Sequence, residues 1–191
     1  MIDTQSLVGK FLIATPYMPD PLFARSVILI CGEDNRGIVG FIINRPIETL
    51  SLKDFFSQLK ISLKQSYPLS SRIYFGGPVD TTRGFVLHTS DYKNHGSLPV
   101  KVEDQEFYIT NQLDILASIA QGKGPSQFLL MLGYVGWDRY HLMQELEDNF
   151  WLITEGRKEM VFQENPAFQW EKIYAMLGID PKQLSLSPGH A

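Results

Sequence analysis

The chain has 191 residues, of which 44% are hydrophobic and 12% aromatic, and its formal net charge is −4. These values are typical of a folded globular protein and exclude disordered and low-complexity classes. The 17 basic residues are spread along the sequence without a dense block, so binding to nucleic acid is not expected.

The sequence also indicates a cellular compartment. Cys31 is the one cysteine, so the chain cannot form an internal disulfide, which is typical of a reducing compartment. The first twenty residues lack the charged leader and long apolar run of a signal peptide. No stretch approaches the roughly 18 apolar residues of a membrane span. We therefore expect a cytoplasmic protein that does not enter the membrane.

The first quarter of the chain is predicted to form three strands. Lys10–Thr15 is the first, and it is followed by a proline-rich loop in which Asp20 caps a helical turn beginning at Pro21. The apolar runs 27–31 and 38–43 flank a polar turn that contains glycine. They are expected to pair as a hairpin with both faces covered.

The next segment is predicted to be helical. Asp54 follows Ser51 at the spacing of a capping box, and apolar residues then recur on one face as far as Leu63. We therefore expect a helix that begins at Ser51.

The middle of the chain is predicted to return to strands. Ile73–Phe75 and Gly84–His88 lie on either side of a turn at Gly76-Gly77-Pro78. Val100–Val102 and Phe107–Ile109 are expected to form a second hairpin.

Helices and strands alternate in the last third. Asn111 is predicted to cap a helix that ends at Gly122. A buried strand is expected over Phe128–Leu132, followed by a turn over Gly133–Gly136 and an amphipathic helix over Asp138–Asp148.

The pattern ends with one more strand and one more helix. Trp151–Thr154 is the strand, and Asn165 with Pro166 begins a helix that stops at Gly178. Asp180-Pro181 is expected to start a short turn.

Strands and helices are interleaved, but the hairpins interrupt the pattern. We therefore predict a mixed α/β (α+β) fold in which helices pack on a mixed sheet, and one domain over residues 1–191. The segment over about 47–68 could form a small lobe, although the composition does not shift there, and a loose tail is expected over about 185–191.

Several sequence phrases occur in a characteristic order. They are FLIATPYMPDPLFARSVILIC, GIVGFIINRP, YFGGPV, RGFVLH, and LGYVGW ahead of an acidic helix and NFWL. Together they resemble the YqgE/AlgH family of bacterial proteins, from about Gly9 to Leu177 and again at the closing GHA. The resemblance implies an α/β fold whose sheet splits and curls toward a partial barrel, a split pseudo-barrel.

The resemblance implies little about function. The family is described as uncharacterised, some members are described as transcriptional regulators, and no catalytic residues transfer. Many members carry small residues after Gly136-Trp137, where this chain has Asp138-Arg139-Tyr140-His141. A role that depends on a small-residue loop is therefore not expected here.

Catalytic and metal motifs are not evident in the sequence. Cys31 could act as a nucleophile with His88 as its base, but a cysteine that ends an apolar strand usually serves as a small hydrophobe. The other histidines are isolated, and no P-loop, GxGxxG, GxSxG, HExxH or CxxC motif occurs. We therefore predict no catalytic residues, no metal site and no cofactor.

Three arginines adjoin apolar strands and suggest an anion pocket. Arg25, Arg45 and Arg83 would bind a carboxylate or phosphate if they converged, although three separate ion pairs are the more common outcome. Gly76 and Gly77 could add a nest of backbone N–H groups, or could simply reverse the chain.

Trp137 is the remaining candidate ligand contact. It follows a glycine-containing segment and could stack on a ligand or a partner, or could be a core residue. The site predicted from sequence therefore consists of Arg25, Arg45, Gly76, Gly77, Arg83 and Trp137.

These observations favour a non-enzymatic binding or regulatory protein. It would act through a protein partner or a small anionic ligand, in an oligomeric state that the sequence leaves open. A DNA-binding regulator is the alternative that the family description suggests, and the acidic charge balance argues against it. An enzyme of an unfamiliar kind is the third possibility.

Overall fold

The computed structural model describes residues 6–64, 72–92, 95–163 and 165–184. These residues form ten strands and four α-helices. The strands are β1 Lys10–Ala14, β2 Val27–Asp34, β3 Gly37–Ile42, β4 Pro46–Ser51, β5 Arg72–Phe75, β6 Val79–Thr89, β7 Leu98–Val102, β8 Gln105–Thr110, β9 Phe128–Trp137 and β10 Trp151–Glu155. The helices are α1 Leu52–Gln58, α2 Leu113–Ala120, α3 Arg139–Glu147 and α4 Gln169–Met176.

The strands form one sheet in which β9 is central. The order is β10-β1-β2-β3-β9-β6-β8-β7, and β4 and β5 lie off this path. Neighbours are antiparallel except that β5 runs parallel to β9. The predicted mixed sheet with helices packed on it is therefore confirmed.

The sheet curls without closing into a barrel. The carbonyl oxygen of Lys101, on edge strand β7, lies against Gly9, just before β1. At the turn after β7, Glu103 pairs with Arg157 at 3.1 Å and Asp104 pairs with Lys158 at 2.7 Å. These contacts draw the β7–β8 hairpin toward the opposite edge of the sheet, which confirms the predicted partial barrel.

The core consists of three apolar clusters. The first cluster joins the sheet to α4 through Trp170, Ile173 and Tyr174. The second joins the sheet to α3 through Leu142, and the third joins it to α1 and α2. Each helix therefore uses one apolar face to cover the sheet, as expected of a two-layer packing.

Several predicted elements occur where the local signals placed them. Ser51 accepts a hydrogen bond from the backbone N–H of Asp54 at 3.1 Å, and Asp138 caps α3 in the same way. The hairpins β2–β3 and β7–β8 are also present. Short-range capping and turn signals were sufficient for these elements.

Other predicted boundaries were wrong. The first helix ends at Gln58 rather than continuing to Leu63, and Pro46–Ser51 forms strand β4 because it pairs with β5. Asn165 makes no side-chain cap; a short 3₁₀ turn over Pro166–Phe168 leads into α4 instead.

The largest correction concerns β9. A turn was predicted over Gly133–Gly136, but the strand continues to Trp137 because its second half pairs with β3. Gly133 has φ of +71°, which lets the strand change direction without ending.

Two predicted regions lie wholly or partly outside the described residues. The expected tail at 185–191 lies outside them, and the expected lobe at 47–68 runs beyond residue 64. Among the helices of the described residues, none is long and apolar enough to cross a membrane.

Candidate functional site

A cavity of about 770 Å³ opens at one end of the curled sheet. Its walls come from β2, β3, β6, β8 and β9, with Leu98 of edge strand β7 at its border. Small-molecule sites have volumes of roughly 300–1,000 Å³ and often occupy the mouths of β-barrels. The cavity is therefore in the place and size range of a ligand site.

Aromatic and aliphatic side chains form the cavity wall. Phe41 and Phe85 have ring centroids 5.1 Å apart, and Tyr134 meets Phe85 edge to face at 5.9 Å. Val39 and Ile109 extend this surface, and all five side chains pack with the first core cluster. The cavity is thus an open continuation of the core.

Two glycines border open space in the cavity. A Cβ placed on Gly32 would have its nearest neighbour 3.9 Å away, at Cβ of Val39. A Cβ on Gly136 would lie 3.5 Å from Cε2 of Tyr134, which is an ordinary contact. Neither glycine has a positive φ. Neither glycine is required for a positive φ or for close packing, although Gly32 adjoins a bulge in β2, and the space beside both positions is open.

Charged residues surround the cavity mouth, and each already forms a hydrogen bond or an ion pair within the protein. Arg36 donates to Asp34 Oδ2 from Nη2 at 2.8 Å and from Nε at 3.1 Å, which lowers the pKa of that carboxyl group. Glu33 accepts from Arg139, and Asp138 caps α3. Asp34 and Glu33 at the mouth are therefore paired with arginines, whereas the Asp138 carboxylate is held by a backbone N–H of α3.

Cys31 lies at the cavity wall as an inert thiol. It is 6% exposed and donates weakly to the carbonyl oxygen of Leu29 at 3.6 Å. Burial raises its pKa far above the ordinary value, so the thiol stays protonated at neutral pH. The structure therefore gives no activated nucleophile at Cys31.

His88 is fully buried on β6 and both of its ring nitrogens are used. Nδ1 lies 2.9 Å from the carbonyl oxygen of Thr89, and Nε2 lies 2.9 Å from Oγ1 of Thr110. Because a carbonyl only accepts, Nδ1 carries the proton and Nε2 accepts from the Thr110 hydroxyl. His88 is thus held as a neutral structural residue.

This environment predicts a pH-dependent stability. Burial lowers the pKa of His88, so the unfolded chain takes up a proton first as the pH falls. We expect full stability above the unfolded value of about 6.5 and a loss of up to about 1.4 kcal/mol per pH unit below it, until the folded pKa is reached. Urea unfolding of the wild type and His88→Gln at pH 7.5 and 5.5 measures this slope. Equal slopes in the two proteins would show that His88 does not cause the pH dependence.

Arg25 and Arg45 form contacts in and around the loop before β2 and do not line the cavity. The guanidinium of Arg25 pairs with Glu171 and lies 4.7 Å above the ring of Trp170. Arg45 donates to the carbonyl oxygens of Leu22 and Ala24, the latter at 3.0 Å. These arginines therefore stabilise the loop and its contact with α4.

Arg83 is engaged locally on β6. Its guanidinium lies 4.0 Å from Asp80 and 5.4 Å from the ring centroid of Phe85. Phe85 is a cavity wall residue. Arg83 therefore contacts the wall through this ring but does not itself line the cavity.

Gly76 and Gly77 pack directly against β9. A Cβ on Gly76 would meet the carbonyl oxygen of Gly133, and one on Gly77 would meet the backbone of Tyr134. The N–H of Gly76 donates to the carbonyl oxygen of Leu132 at 2.8 Å. Both glycines thus permit the close approach of two backbone segments behind the cavity wall.

Trp137 is the one member of the predicted six among the described residues of the cavity lining. Its indole N–H donates to Oε2 of Glu145 at 3.0 Å, and Trp151 donates to the same oxygen at 2.6 Å. The indole packs in the second cluster, beside α3. Trp137 therefore borders the cavity mainly as a structural residue.

Sequence reasoning missed the residues that form the site. Tyr134 and Asn111 line the cavity, yet the first was assigned to a turn and the second to a helix cap. In the structure α2 begins after Gln112, and no side chain caps it. Glycines within strands, at positions 32 and 136, were the available signal, because a strand glycine often marks a bulge or a close approach by a ligand or another backbone.

Comparison with known proteins identifies the family and the fold. A family model described as AlgH-like matches residues 11–182. A UPF0301 protein of Jannaschia sp. is 42% identical over 188 residues, which are 98% of this chain and 97% of the relative. A UPF0301 protein of Rhodospirillum rubrum is 42% identical over 187 residues, covering 97% and 94%.

Two solved structures resemble this one. The AlgH protein of Pseudomonas aeruginosa superposes with a TM-score of 0.74 at 36% identity, covering 100% of this chain and 99% of that chain. A Corynebacterium diphtheriae protein superposes with a TM-score of 0.69 at 18% identity, covering 92% and 90%, and supports the fold alone. The names of these proteins state neither a ligand nor a reaction.

Proposed function

This chain belongs to the AlgH-like family, and we propose that it is a non-enzymatic protein that binds a small, mainly apolar molecule in the cavity at the end of its sheet. The observation that carries this proposal is the open space left by Gly32 and Gly136 beside an aromatic wall. An apolar space of this size gains binding free energy when a ligand removes its surface from water.

Two features support binding rather than turnover. The Cys31 thiol is protonated by burial, and both ring nitrogens of His88 are occupied by hydrogen bonds. The pair that sequence suggested for nucleophilic catalysis therefore lacks an activated nucleophile and a free base. We place this binding function in the cytosol, where a buried, unpaired thiol such as Cys31 stays reduced.

The test is a titration with naphthalene, an uncharged apolar probe. We expect the wild type to bind it with a Kd of about 1 mM or tighter, which a probe of ten carbon atoms can reach in an apolar site. Gly136→Leu should occupy the space beside Tyr134 and weaken binding at least about tenfold. Ligand-observed NMR measures both affinities.

Gly84→Leu is the matched control. Gly84 also lies in a strand, and a Cβ there would have its nearest neighbour 3.9 Å away, but it is not part of the cavity lining. We expect this variant to bind naphthalene as the wild type does. No binding by the wild type, or equal binding by wild type and Gly136→Leu, would overturn the proposal.

A further inference from the structure

Some polar groups on the cavity wall already form hydrogen bonds within the protein, and others do not. The hydroxyl of Thr110 is engaged by His88 and by Ser97, the latter at 2.7 Å, and the Cys31 thiol faces the carbonyl of Leu29. Within the described part of the chain, the phenol of Tyr134 and the carboxamide of Asn111 have no hydrogen-bond partner. The Tyr134 hydroxyl is not fully buried, so it meets water in the open cavity and is available to a ligand.

The Tyr134 hydroxyl lies at the open part of the cavity. The ring is fixed against Phe85, and its Cε2 edge approaches the space that a side chain on Gly136 would occupy. The hydroxyl is bonded to the carbon next to Cε2, so it belongs to the same end of the ring. The space beside it is the space that glycine leaves open.

The charges at the mouth argue against an anionic ligand. Asp34 is paired with Arg36 and Glu33 with Arg139, while Asp138 accepts from the backbone N–H of His141 at 2.9 Å. An anionic ligand would have to give up hydration without meeting an unpaired cation among these residues, and it would face the carboxylate of Asp138. An uncharged ligand avoids that cost.

We propose that the ligand is an uncharged, flat molecule with an apolar body and one hydrogen-bonding group, and that the Tyr134 phenol is the specificity-determining residue that recognises this group. This inference rests on the proposed binding function. The partly buried ring of Phe85, backed by the buried ring of Phe41, contacts the flat body, and the phenol either donates to or accepts from the polar group. Asn111, exposed at the border of the cavity, offers a second amide contact to larger members of this class.

The test compares 2-naphthol with naphthalene, because the two probes differ by one hydroxyl group. Affinities of both probes are measured by ligand-observed NMR for the wild type and for Tyr134→Phe, which keeps the aromatic ring. We expect Tyr134→Phe to reduce the preference for 2-naphthol over naphthalene roughly 3- to 10-fold and to leave naphthalene binding unchanged. Tyr140→Phe is the matched control, since Tyr140 is an exposed tyrosine of α3 outside the cavity.

The outcomes separate this inference from the proposed function. If the wild type binds neither probe, the binding function itself is overturned. If naphthalene binds but Tyr134→Phe leaves the 2-naphthol preference unchanged, the cavity is a binding site and the role of Tyr134 is overturned. A loss of preference in Tyr140→Phe as large as that in Tyr134→Phe would also contradict the role assigned to Tyr134.

Discussion

Replacing Gly77 with alanine is expected to lower the free energy of unfolding by about 3 kcal/mol. Gly77 has φ of +156°, a conformation that alanine adopts only with strain. Its new Cβ would also collide with the backbone of Tyr134 and would lie 2.6 Å from the backbone nitrogen of Val135. Because those atoms belong to the central strand β9, they cannot move without disturbing its pairing. Urea unfolding monitored by circular dichroism measures the loss.

Gly136→Ala is the control for this effect. Gly136 lies on the same strand as the atoms that Gly77 approaches, but its added Cβ would make only ordinary contacts. We expect a stability within about 1 kcal/mol of the wild type. If both alanine variants were destabilised equally, the distinction between a glycine that packing requires and a glycine that leaves open space would be wrong.

Removal of the Glu145 carboxylate is expected to be almost as costly. Oε2 of Glu145 accepts from the indole N–H groups of both Trp137 and Trp151, and these rings meet edge to face at 5.9 Å. Glu145→Ala leaves two indole donors without their acceptor, and an unsatisfied buried donor costs roughly 1–3 kcal/mol. We therefore expect a loss of about 3 kcal/mol and a red shift of tryptophan fluorescence.

Two variants show whether the acceptor oxygen is responsible. Glu145→Gln keeps a carbonyl oxygen that can accept both bonds, so it should retain most of the stability. Glu147→Ala removes an exposed carboxylate from the same helix and should have an effect of about 0.5 kcal/mol or less. An equal loss in Glu145→Gln and Glu145→Ala would assign the effect to packing or charge instead of the shared hydrogen bonds.

The parts of the fold that depend on neighbouring residues could be predicted from sequence. Ser51 and Asp138 cap helices through contacts three residues away, and the β2–β3 and β7–β8 hairpins close over short turns. The end of β9 could not be predicted in this way. Its continuation to Trp137 depends on pairing with β3, about a hundred residues earlier in the chain.

The candidate site could not be predicted for the same reason. Its wall combines side chains from five strands, and their convergence follows from the curl of the sheet. The arginines looked suitable because each adjoins a strand, but Arg25 and Arg45 contact groups about 20 to 150 residues away that the sequence does not connect to them. Tyr134 was not predicted as a wall residue, because Gly133 and Gly136 on either side of it suggest a turn.

The most direct test of the ligand-binding account is a titration of the isotope-labelled protein with naphthalene, followed by two-dimensional NMR. The account predicts that the largest shifts occur at the cavity wall, including Phe41, Phe85 and Tyr134, and that Gly136→Leu strongly reduces them at the same naphthalene concentration. Shifts confined to other surfaces, or none at all, would contradict the claim that this cavity is the binding site.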